Sequence, residues 1–418
     1  MTGSKYKFYI DQVNRKIYNA DSLPYGSKVT HLLCNISSLN SGTVVIKSLT
    51  SDSLYYYSST DSIDFSSPRQ ISVYSLDGTT HVDYEVTVNV HQEEADAFVW
   101  KSMPSQEIFA RAQALRMFNL NGKMFVLASD GTTTDIYYCN EDGTGEWTTA
   151  APPFSDVSLS ADAVDNAVAN DESLLILFTR PGDTDADGGY LMTTVDGRRW
   201  TILASSDMLR LVAADAHKFY ALNHDGQLMG SPKEFPMIWE IEPLDADVSL
   251  LPTRDISYCR IPSRVNSATE NVVIAGSRSA ENYYGDLTAM VWSKVVEYDE
   301  NSRQNTWMYI SENDMSEYVM PRLSRPAITC WKGGILAIGG PGIGACDKEG
   351  FSRFYYSMDG GIYWRNSDIS LPSGFSGTTC SIATTSQQNI WMICGGSGQV
   401  WYGRQSGEES NNQKVFTE

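Results

Sequence analysis

Ala327-Ile328-Thr329-Cys330-Trp331 opens the repeat unit that decides the fold of this chain. Two further short apolar runs follow it, Ile335 to Gly340 and Phe354 to Ser357, and Trp364 comes after them. The unit therefore predicts four strands with a tryptophan on the fourth. Residues 113–147 repeat the pattern and end on Trp147. Units of four short strands repeating along a chain are typical of a β-propeller.

The last unit of the chain lacks a fourth strand of its own. It supplies only three runs before a polar tail at 406–418: Cys380 to Thr384, Ile390 to Cys394 and Gln399 to Gly403. Phe98-Val99-Trp100-Lys101, ahead of the first complete unit, is a single strand that carries the missing tryptophan. Pairing the two removes both exposed sheet edges. We therefore expect residues 97–405 to form a six-bladed β-propeller closed by its own N-terminal strand.

Residues 5–93 contain several short β-rich runs separated by polar turns. Tyr84, Val86, Val88 and Val90 alternate along one face, as a half-buried strand requires. Leu76-Asp77-Gly78-Thr79 before them is a hairpin-turn signal. A module of this length with several such strands predicts a β-sandwich. The whole chain is thus expected to be all-β.

Charge and hydropathy exclude several classes of partner. The 31 Lys and Arg against 51 Asp and Glu give a net charge of −20, which opposes binding to nucleic acid and to anionic lipid surfaces. No run approaches the ~18 apolar residues of a membrane span, and Met1 to Asp11 lacks the apolar part of a signal peptide. Contact with a membrane is therefore expected only through a lipid anchor outside this sequence.

The seven cysteines form no C-x-x-C pair and none has a histidine at zinc spacing. Most lie inside apolar runs, such as Trp391-Met392-Ile393-Cys394. Two interpretations stay open, small buried hydrophobes and a disulfide framework, and the apolar surroundings favour the first.

Three polar hairpins precede tryptophans of the repeat: N-E-D-G-T-G-E-W at 140–147, T-V-D-G-R-R-W at 194–200 and S-M-D-G-G-I-Y-W at 357–364. They resemble the Asp-boxes of sialidases and related propellers, although Tyr363 replaces the usual Thr and the second hairpin is one residue shorter. The resemblance implies that these acids are structural turns on the outer rim. Residues 335–340 with Trp364 also resemble a Kelch repeat, which implies a propeller as well.

Residues 64–86, with Asp77-Gly78-Thr79 followed by Tyr84-Glu85-Val86, resemble the immunoglobulin-like modules of surface lipoproteins in Bacteroides-type bacteria. This resemblance implies that residues 5–93 form an Ig-like β-sandwich. It also implies export across the inner membrane and lipid anchoring of the full-length protein. The expected location is extracytoplasmic, at the cell surface or in the periplasm.

Arg260 lies in an R-I-P string that resembles the one carrying the first carboxylate-binding arginine of sialidases. Here the string follows two Asp-box-like hairpins, whereas the family places it in the first blade. No flanking motif identifies the nucleophile or the acid/base pair of a glycosidase. The sequence therefore contains no complete catalytic set, and the catalytic residues stay unknown.

Three arginines precede inner strands at equivalent positions: Arg111, Arg254 and Arg325. The alignment predicts that they enter the propeller from one face, where an axial ligand is bound. The guanidinium fork suits carboxylate or sulfate, so they are candidate ligand-binding residues. The alternative is that each is a blade residue that donates to loop carbonyls.

Asp183, Asp185 and Asp187 alternate ahead of Gly188, as in the first half of a calcium loop. The twelfth position is Thr194, where an EF-hand requires Glu, so the ligands are few. A calcium site and an empty acidic turn both stay open.

These observations predict a binding or interaction protein whose propeller face recognises a glycan or protein ligand, with the sandwich as a spacer. The alternative is a glycoside hydrolase or lyase, sialidase-like, acting on surface or dietary glycans. Two carboxylates at glycosidase separation in the axial funnel would favour the enzyme. Ligand identity and oligomeric state stay open.

Overall fold

The computed structural model describes residues 6–39, 41–94, 96–150, 158–179, 189–278, 285–297, 305–310 and 318–406. These residues are all-β, with 33 strands, one short α-helix, α1 (Glu107–Ala110), and 3₁₀ turns at Ala161–Val164 and Val248–Leu250. No helix in this part of the chain is long and apolar enough to cross a bilayer. Two compact units result, Met1–Val99 with Gln405–Glu418, and Trp100–Arg404.

The first unit is built on a six-stranded sheet with the order β1-β2-β8-β7-β4-β5. A separate two-stranded ribbon pairs β3 with β6. β2 runs parallel to β8, and the other neighbours are antiparallel. The strands are β1 (Phe8–Asp11), β2 (Lys16–Asn19), β3 (Leu32–Leu33), β4 (Thr43–Lys47), β5 (Leu54–Tyr56), β6 (Ser62–Ile63), β7 (Arg69–Tyr74) and β8 (His81–Thr87).

Apolar side chains on one face of the large sheet form the core of this unit. Ile46, Ile71 and Val86 are buried there, together with Ile63 of the ribbon and Phe65 just after it. One large sheet and one short ribbon enclose this core, and the immunoglobulin-like topology stays a prediction.

The second unit consists of six sheets that follow one another along the chain, and in each the first three strands lie in sequence order. The first sheet contains β10 (Ala114–Leu120), β11 (Lys123–Ser129), β12 (Thr133–Asn140) and β13 (Thr148–Thr149), with β14 (Leu159–Ser160) beside β12. The second contains β15 (Ala167–Ala169), β16 (Leu174–Phe178), β17 (Gly189–Thr194) and β18 (Trp200–Ser206). The third contains β19 (Met208–Ala214), β20 (Lys218–Asn223), β21 (Leu228–Pro232) and β22 (Glu240–Ile241).

The fourth sheet contains β23 (Arg254–Pro262), β24 (Thr269–Ser277), β25 (Met290–Glu297) and β26 (Met308–Tyr309). The fifth contains β27 (Ala327–Trp331), β28 (Gly334–Ile338), β29 (Tyr355–Ser357) and β30 (Arg365–Asn366). The sixth contains β31 (Thr379–Thr384), β32 (Ile390–Gly395), β33 (Val400–Gln405) and, beside β33, β9 (Phe98–Met103). The last sheet thus takes its fourth strand from the beginning of the unit.

The first strands of the six sheets contact one another in succession, from β10 to β15 and on to β31, and β31 in turn contacts β10. A tryptophan stands at or just before the fourth strand of the first five sheets, and Trp100 lies within β9. Trp307 and Trp364 are buried between sheets. The repeated tryptophan therefore marks the place where each outer strand packs down on its sheet.

The three acidic hairpins fold as tight turns held by their own residues. In the second, Asp196 Oδ1 accepts hydrogen bonds from the backbone N–H groups of Arg198 (2.8 Å) and Arg199 (2.9 Å). Gly197 has φ +76°, and a Cβ there would lie 2.6 Å from the Phe125 ring. Both the positive φ and this close approach therefore require glycine. Trp200 Nε1 donates back to the Gly197 carbonyl at 3.2 Å. These carboxylates complete turns and lie away from the cavity described next.

The seven cysteines are free thiols, and five of them are buried. Burial raises the pKa of the Cys139 thiol to about 12, so this thiol stays protonated at neutral pH. The buried cysteines thus pack as small apolar side chains.

Candidate functional site

A cavity of about 610 Å³ lies among the first strands of the sheets in the second unit. Residues of β10, β23, β27 and β31 supply most of its wall, and the loop after β15 and Arg210 of β19 supply the rest. This volume falls in the range of small-molecule sites. Because the inner strands expose alternate side chains to the cavity, its chemistry is set by a few positions in each repeat.

Arginines concentrate where the inner strands begin, at an end of the cavity that we call the arginine mouth. It comprises Arg116, Arg210, Arg254 and Arg325 together with Asp165 and Asp255. Arg325 Nη1 lies 3.4 Å from Asp165 Oδ1, and the Arg325 backbone N–H donates to Asp255 Oδ1 at 2.8 Å. Four guanidinium groups and only two carboxylates therefore line this end of the cavity, in a protein whose net charge is −20.

The backbone at the arginine mouth adopts an uncommon conformation. Asp255 has φ +52° and Arg325 has φ +43°, and neither is glycine. Left-handed backbone at such residues costs free energy and concentrates at functional sites. The bulge between Arg254 and Ser257 in the pairing of β23 with β24 accompanies the first of them. The side chains of Arg254 and Arg325 are both exposed.

Arg116 forms the floor of the arginine mouth. Its guanidinium donates to the carbonyls of Asp165 (3.4 Å), Ala167 (3.1 Å) and, through Nη2, Ile256. Burial lowers its pKa, Asp165 acts in the opposite direction, and the nearby charges of Arg210 and Arg325 lower it further. The arginines are thus close enough to repel one another, a repulsion that an anion between them would relieve.

Two of the three arginines selected from the sequence line the cavity, Arg254 and Arg325. Arg111 does not. It follows α1, which the repeat alignment did not anticipate, and forms the C-terminal cap of that helix three residues before β10 begins. The mouth also contains Arg116 and Arg210, which the alignment did not select as ligand-binding residues.

Arg260 of the R-I-P string lines the opposite part of the cavity, and its charge is already neutralised. Its Nη1 lies 2.8 Å from Asp171 Oδ1, and its Nη2 lies 2.7 Å from Glu270 Oε2. Burial acts to lower the pKa of Arg260, but the charges of Glu270 and Asp171 outweigh it and hold the pKa above its usual value. An arginine paired with two carboxylates is poorly suited to bind the carboxylate of a substrate.

Tyr258 crosses from β23 to the second sheet and narrows the cavity. Its hydroxyl donates to the Ala169 carbonyl at 2.7 Å and accepts from the Ala169 N–H at 2.6 Å. Burial raises its pKa to about 12. Because the hydroxyl already donates and accepts, the ring is left as an apolar wall beside Phe118.

Uncharged polar groups accompany the Arg260–Asp171 pair at the end of the cavity away from the arginine mouth. Asn119 Nδ2 donates to Glu141 Oε2 at 2.7 Å and to the Thr384 carbonyl at 3.1 Å. Asn170 lies at the end of β15 and is 3% exposed. Sequence reasoning missed Asn170, although an asparagine directly after a short apolar strand is a turn signal. It also missed Asp255, which directly follows Arg254.

The three aspartates of the proposed calcium loop, Asp183, Asp185 and Asp187, lie outside the described residues. Among the residues that are described, no group of three His, Cys, Asp or Glu side chains could hold a metal ion.

Comparison with solved structures finds several enzymes of low identity. Alpha-L-arabinanase from Penicillium chrysogenum, complexed with arabinobiose, is 12% identical with a TM-score of 0.40, and the match covers 74% of this chain and 97% of that one. Trypanosoma rangeli sialidase, in complex with the inhibitor DANA, is 12% identical with a TM-score of 0.40, and the match covers 79% of this chain but 57% of the sialidase. Endo-arabinase from Bacteroides thetaiotaomicron is 9% identical with a TM-score of 0.35, and the match covers 69% of this chain and 92% of that one.

No curated protein matches the chain significantly. Two family models match it in succession. The "Domain of unknown function (DUF6242) N-terminal domain" matches residues 1–88, and the "DUF6242 beta propeller domain" matches residues 94–407, which is more than half of the chain. The chain therefore belongs to the DUF6242 family, and its second unit is that family's β-propeller domain.

Proposed function

We propose that the propeller is a binding module that takes the acidic group of a glycan at the arginine mouth. One observation carries the proposal: four guanidinium groups face two carboxylates at one end of a cavity of about 610 Å³. Guanidinium forks bind carboxylate and sulfate groups with two parallel hydrogen bonds. The exposed side chains of Arg254 and Arg325 are placed to meet such a group first.

Binding fits the acidic residues of the cavity better than catalysis does. Its wall contains Asp165, Asp171 and Asp255. Asp171 pairs with Arg260, Asp165 pairs with Arg325, and Asp255 accepts the backbone N–H of Arg325. A glycosidase needs one carboxyl group that transfers a proton and a second that acts as nucleophile or base. Because these three carboxylates are already occupied by arginines, they favour a site that binds a ligand over a site that hydrolyses it.

The experiment compares two sets of arginine variants on an array of acidic glycans. Arg254→Ala combined with Arg325→Asn removes two mouth arginines, and Asn tolerates the left-handed backbone at position 325. Arg111→Ala is the matched control, because Arg111 is exposed but does not line the cavity. We expect the double variant to lose at least tenfold in affinity for carboxylated and sulfated glycans and the control to bind like the wild type.

Carboxyl-reduced forms of the carboxylated glycans and desulfated forms of the sulfated ones complete the experiment, because they keep the sugar rings and lose the charge. They should bind weakly to every variant. Equal binding of the wild type and the double variant to the acidic glycans would contradict the proposal. Release of reducing ends during the incubation would favour the hydrolase alternative.

We infer that the propeller has six blades and that β9 closes the ring. Six successive sheets, the contact of β31 with β10, and the position of β9 beside β33 support this inference. In this arrangement the cavity coincides with the propeller axis. We also propose that the first unit is an immunoglobulin-like spacer.

We further propose that the protein acts outside the cytoplasm, at the cell surface or in the periplasm, where polysaccharide ligands are found. The resemblance of residues 64–86 to modules of surface lipoproteins supports this location. Fractionation of cells that express the full-length protein tests it, with recovery in the cytosolic fraction as the contrary result.

A further inference from the structure

Asn170 carries a buried hydrogen-bond donor that has no acceptor among the described residues. The side chain is 3% exposed, and the residue lines the cavity at the end away from the arginine mouth. Buried polar groups in proteins are nearly always paired, so an unpaired one in the wall of a binding cavity calls for a functional explanation.

The orientation of the Asn170 amide follows from its hydrogen bonds. Its Oδ1 accepts from the backbone N–H groups of Glu172 (2.9 Å) and Ser173 (2.8 Å), and from the Ser173 hydroxyl at 3.3 Å. Three donors on one atom identify that atom as the oxygen. The other atom of the amide is therefore the NH₂ group, which the turn holds in a fixed position.

The turn itself does not require asparagine. In the third sheet the corresponding turn, between β19 and β20, uses Asp215, whose Oδ1 accepts from the N–H groups of His217 (2.7 Å) and Lys218 (2.6 Å). A carboxylate caps this turn as well as an amide does. What asparagine adds at position 170 is a donor.

Neighbouring side chains among the described residues give that donor no acceptor, and because the donor is itself covered, a ligand reaches it only after a small shift of the cavity wall. The Tyr258 hydroxyl is saturated by Ala169, and Asp171 is paired with Arg260. A sugar hydroxyl bound here would bring a proton that needs an acceptor of its own, whereas a carbonyl oxygen only accepts. The site therefore suits a neutral carbonyl better than a hydroxyl.

We infer that Asn170 Nδ2 donates to the acetamido carbonyl of an N-acetylated sugar. The place around Asn170 is then a second subsite of the same cavity. The inference rests on the proposed function, because it adds a second contact for the glycan held at the arginine mouth. Asp165, at the mouth, precedes Asn170 by five residues, a separation of roughly 17 Å or less by strand rise. The ligand class is thus an acidic oligosaccharide that carries an N-acetyl group.

Two probes separate this inference from the proposed function. N-acetylglucosamine is neutral and tests Asn170, and glucuronic acid tests the arginine mouth. In protein labelled with ¹⁵N-asparagine, the side-chain signal of Asn170 is assigned by its loss in Asn170→Asp. We expect N-acetylglucosamine to shift this signal in the wild type and equally in the Arg254→Ala/Arg325→Asn variant. Glucose, which lacks the acetamido group, should leave it in place.

Affinity for a hyaluronan tetrasaccharide, which alternates glucuronic acid with N-acetylglucosamine, provides the second measurement. Asn170→Asp keeps the oxygen that caps the turn and removes the donor, so we expect binding about tenfold weaker. Asn223→Asp is the matched control. Asn223 Oδ1 also caps a turn, accepting from Asp225 and Gln227, but its Nδ2 is paired with Gln227 Oε1 at 3.0 Å and the residue does not line the cavity.

The outcomes are distinct. An Asn170 signal that saturating N-acetylglucosamine does not move overturns the inference, as does measurable hyaluronan binding with equal affinity in the wild type and Asn170→Asp. If N-acetylglucosamine moves the signal while neither glucuronic acid nor hyaluronan binds, the acidic-glycan function fails and the Asn170 subsite stands.

Discussion

At the scale of single residues, Arg260 shows how partners decide what an arginine can do. Glu270, which is 1% exposed, accepts from Arg260 Nε (2.8 Å) and from the Ala216 N–H (3.0 Å). The guanidinium thus neutralises a buried carboxylate that connects the third and fourth sheets. Arg254, six residues earlier on the same strand, is exposed at the arginine mouth.

Removal of Arg260 should therefore destabilise the fold more than it affects binding. Arg260→Ala leaves Glu270 buried without its counter-ion, and we expect the free energy of unfolding to fall by about 3 kcal/mol. Adding Glu270→Gln should recover part of this loss, because the uncompensated charge is removed. Chemical denaturation measures both effects, with Arg254→Ala, expected to change stability by at most about 0.5 kcal/mol, as the control.

A loss of binding in Arg260→Ala would assign this arginine a different role. If Arg260→Ala abolished binding to acidic glycans while stability stayed unchanged, Arg260 would be a ligand-binding arginine, as the sialidase resemblance implies.

At the scale of elements, the acidic hairpins show a carboxylate used to stabilise a turn. Hydrogen bonds from the N–H groups of Arg199 and Arg198 lower the pKa of Asp196 below its usual value. A carboxylate with a depressed pKa contributes stability above the unfolded pKa of about 3.8. That contribution is lost as pH falls through the folded pKa.

We therefore expect Asp196→Ala to lower the melting temperature at pH 7, and we expect the difference from the wild type to shrink below about pH 3.8. Melting curves from pH 7 to pH 2.5 measure the change. Asp225→Ala, in the turn between β20 and β21, is the control and should leave the melting temperature unchanged. An effect of Asp196→Ala on glycan binding at unchanged stability would contradict the structural role of the hairpin.

At the scale of the whole propeller, the sixth sheet takes its fourth strand from the beginning of the unit. Trp100 of β9 donates from Nε1 to the Ser370 carbonyl at 2.8 Å and stacks on the buried ring of Phe354 at 6.0 Å between centroids. β9 therefore connects the sixth sheet to residues of the fifth. Its loss would expose the edge of β33.

Deletion of residues 97–103 should destabilise the entire propeller, seen as a lower melting temperature. Trp100→Ala is the milder test and should lower the free energy of unfolding by about 2 kcal/mol, since a half-buried tryptophan loses its packing. Lys101→Ala, an exposed neighbour on the same strand, is the matched control. An unchanged melting curve after the deletion would mean that β9 does not close the ring.

Short-range patterns were enough to predict an all-β chain with a propeller domain. Apolar runs of strand length, the tryptophan at each fourth strand and the three-strand last unit are local features, because strand periodicity and turn chemistry depend on neighbours in the chain. The same patterns selected Arg254 and Arg325, which line the cavity, and Arg111, which follows the unforeseen helix α1 and does not line it.

The sequence by itself therefore determined an all-β chain of repeated four-stranded sheets and two of the arginines at the mouth. Only the tertiary structure decided what those residues can do. It placed Asp171 and Glu270 on Arg260, brought Arg116 and Arg210 beside Arg325, and left the Asn170 donor without a partner in the cavity wall. The physical reason is that charge pairing and hydrogen-bond saturation depend on residues 10 to 160 positions apart in the chain, whose meeting no local pattern records.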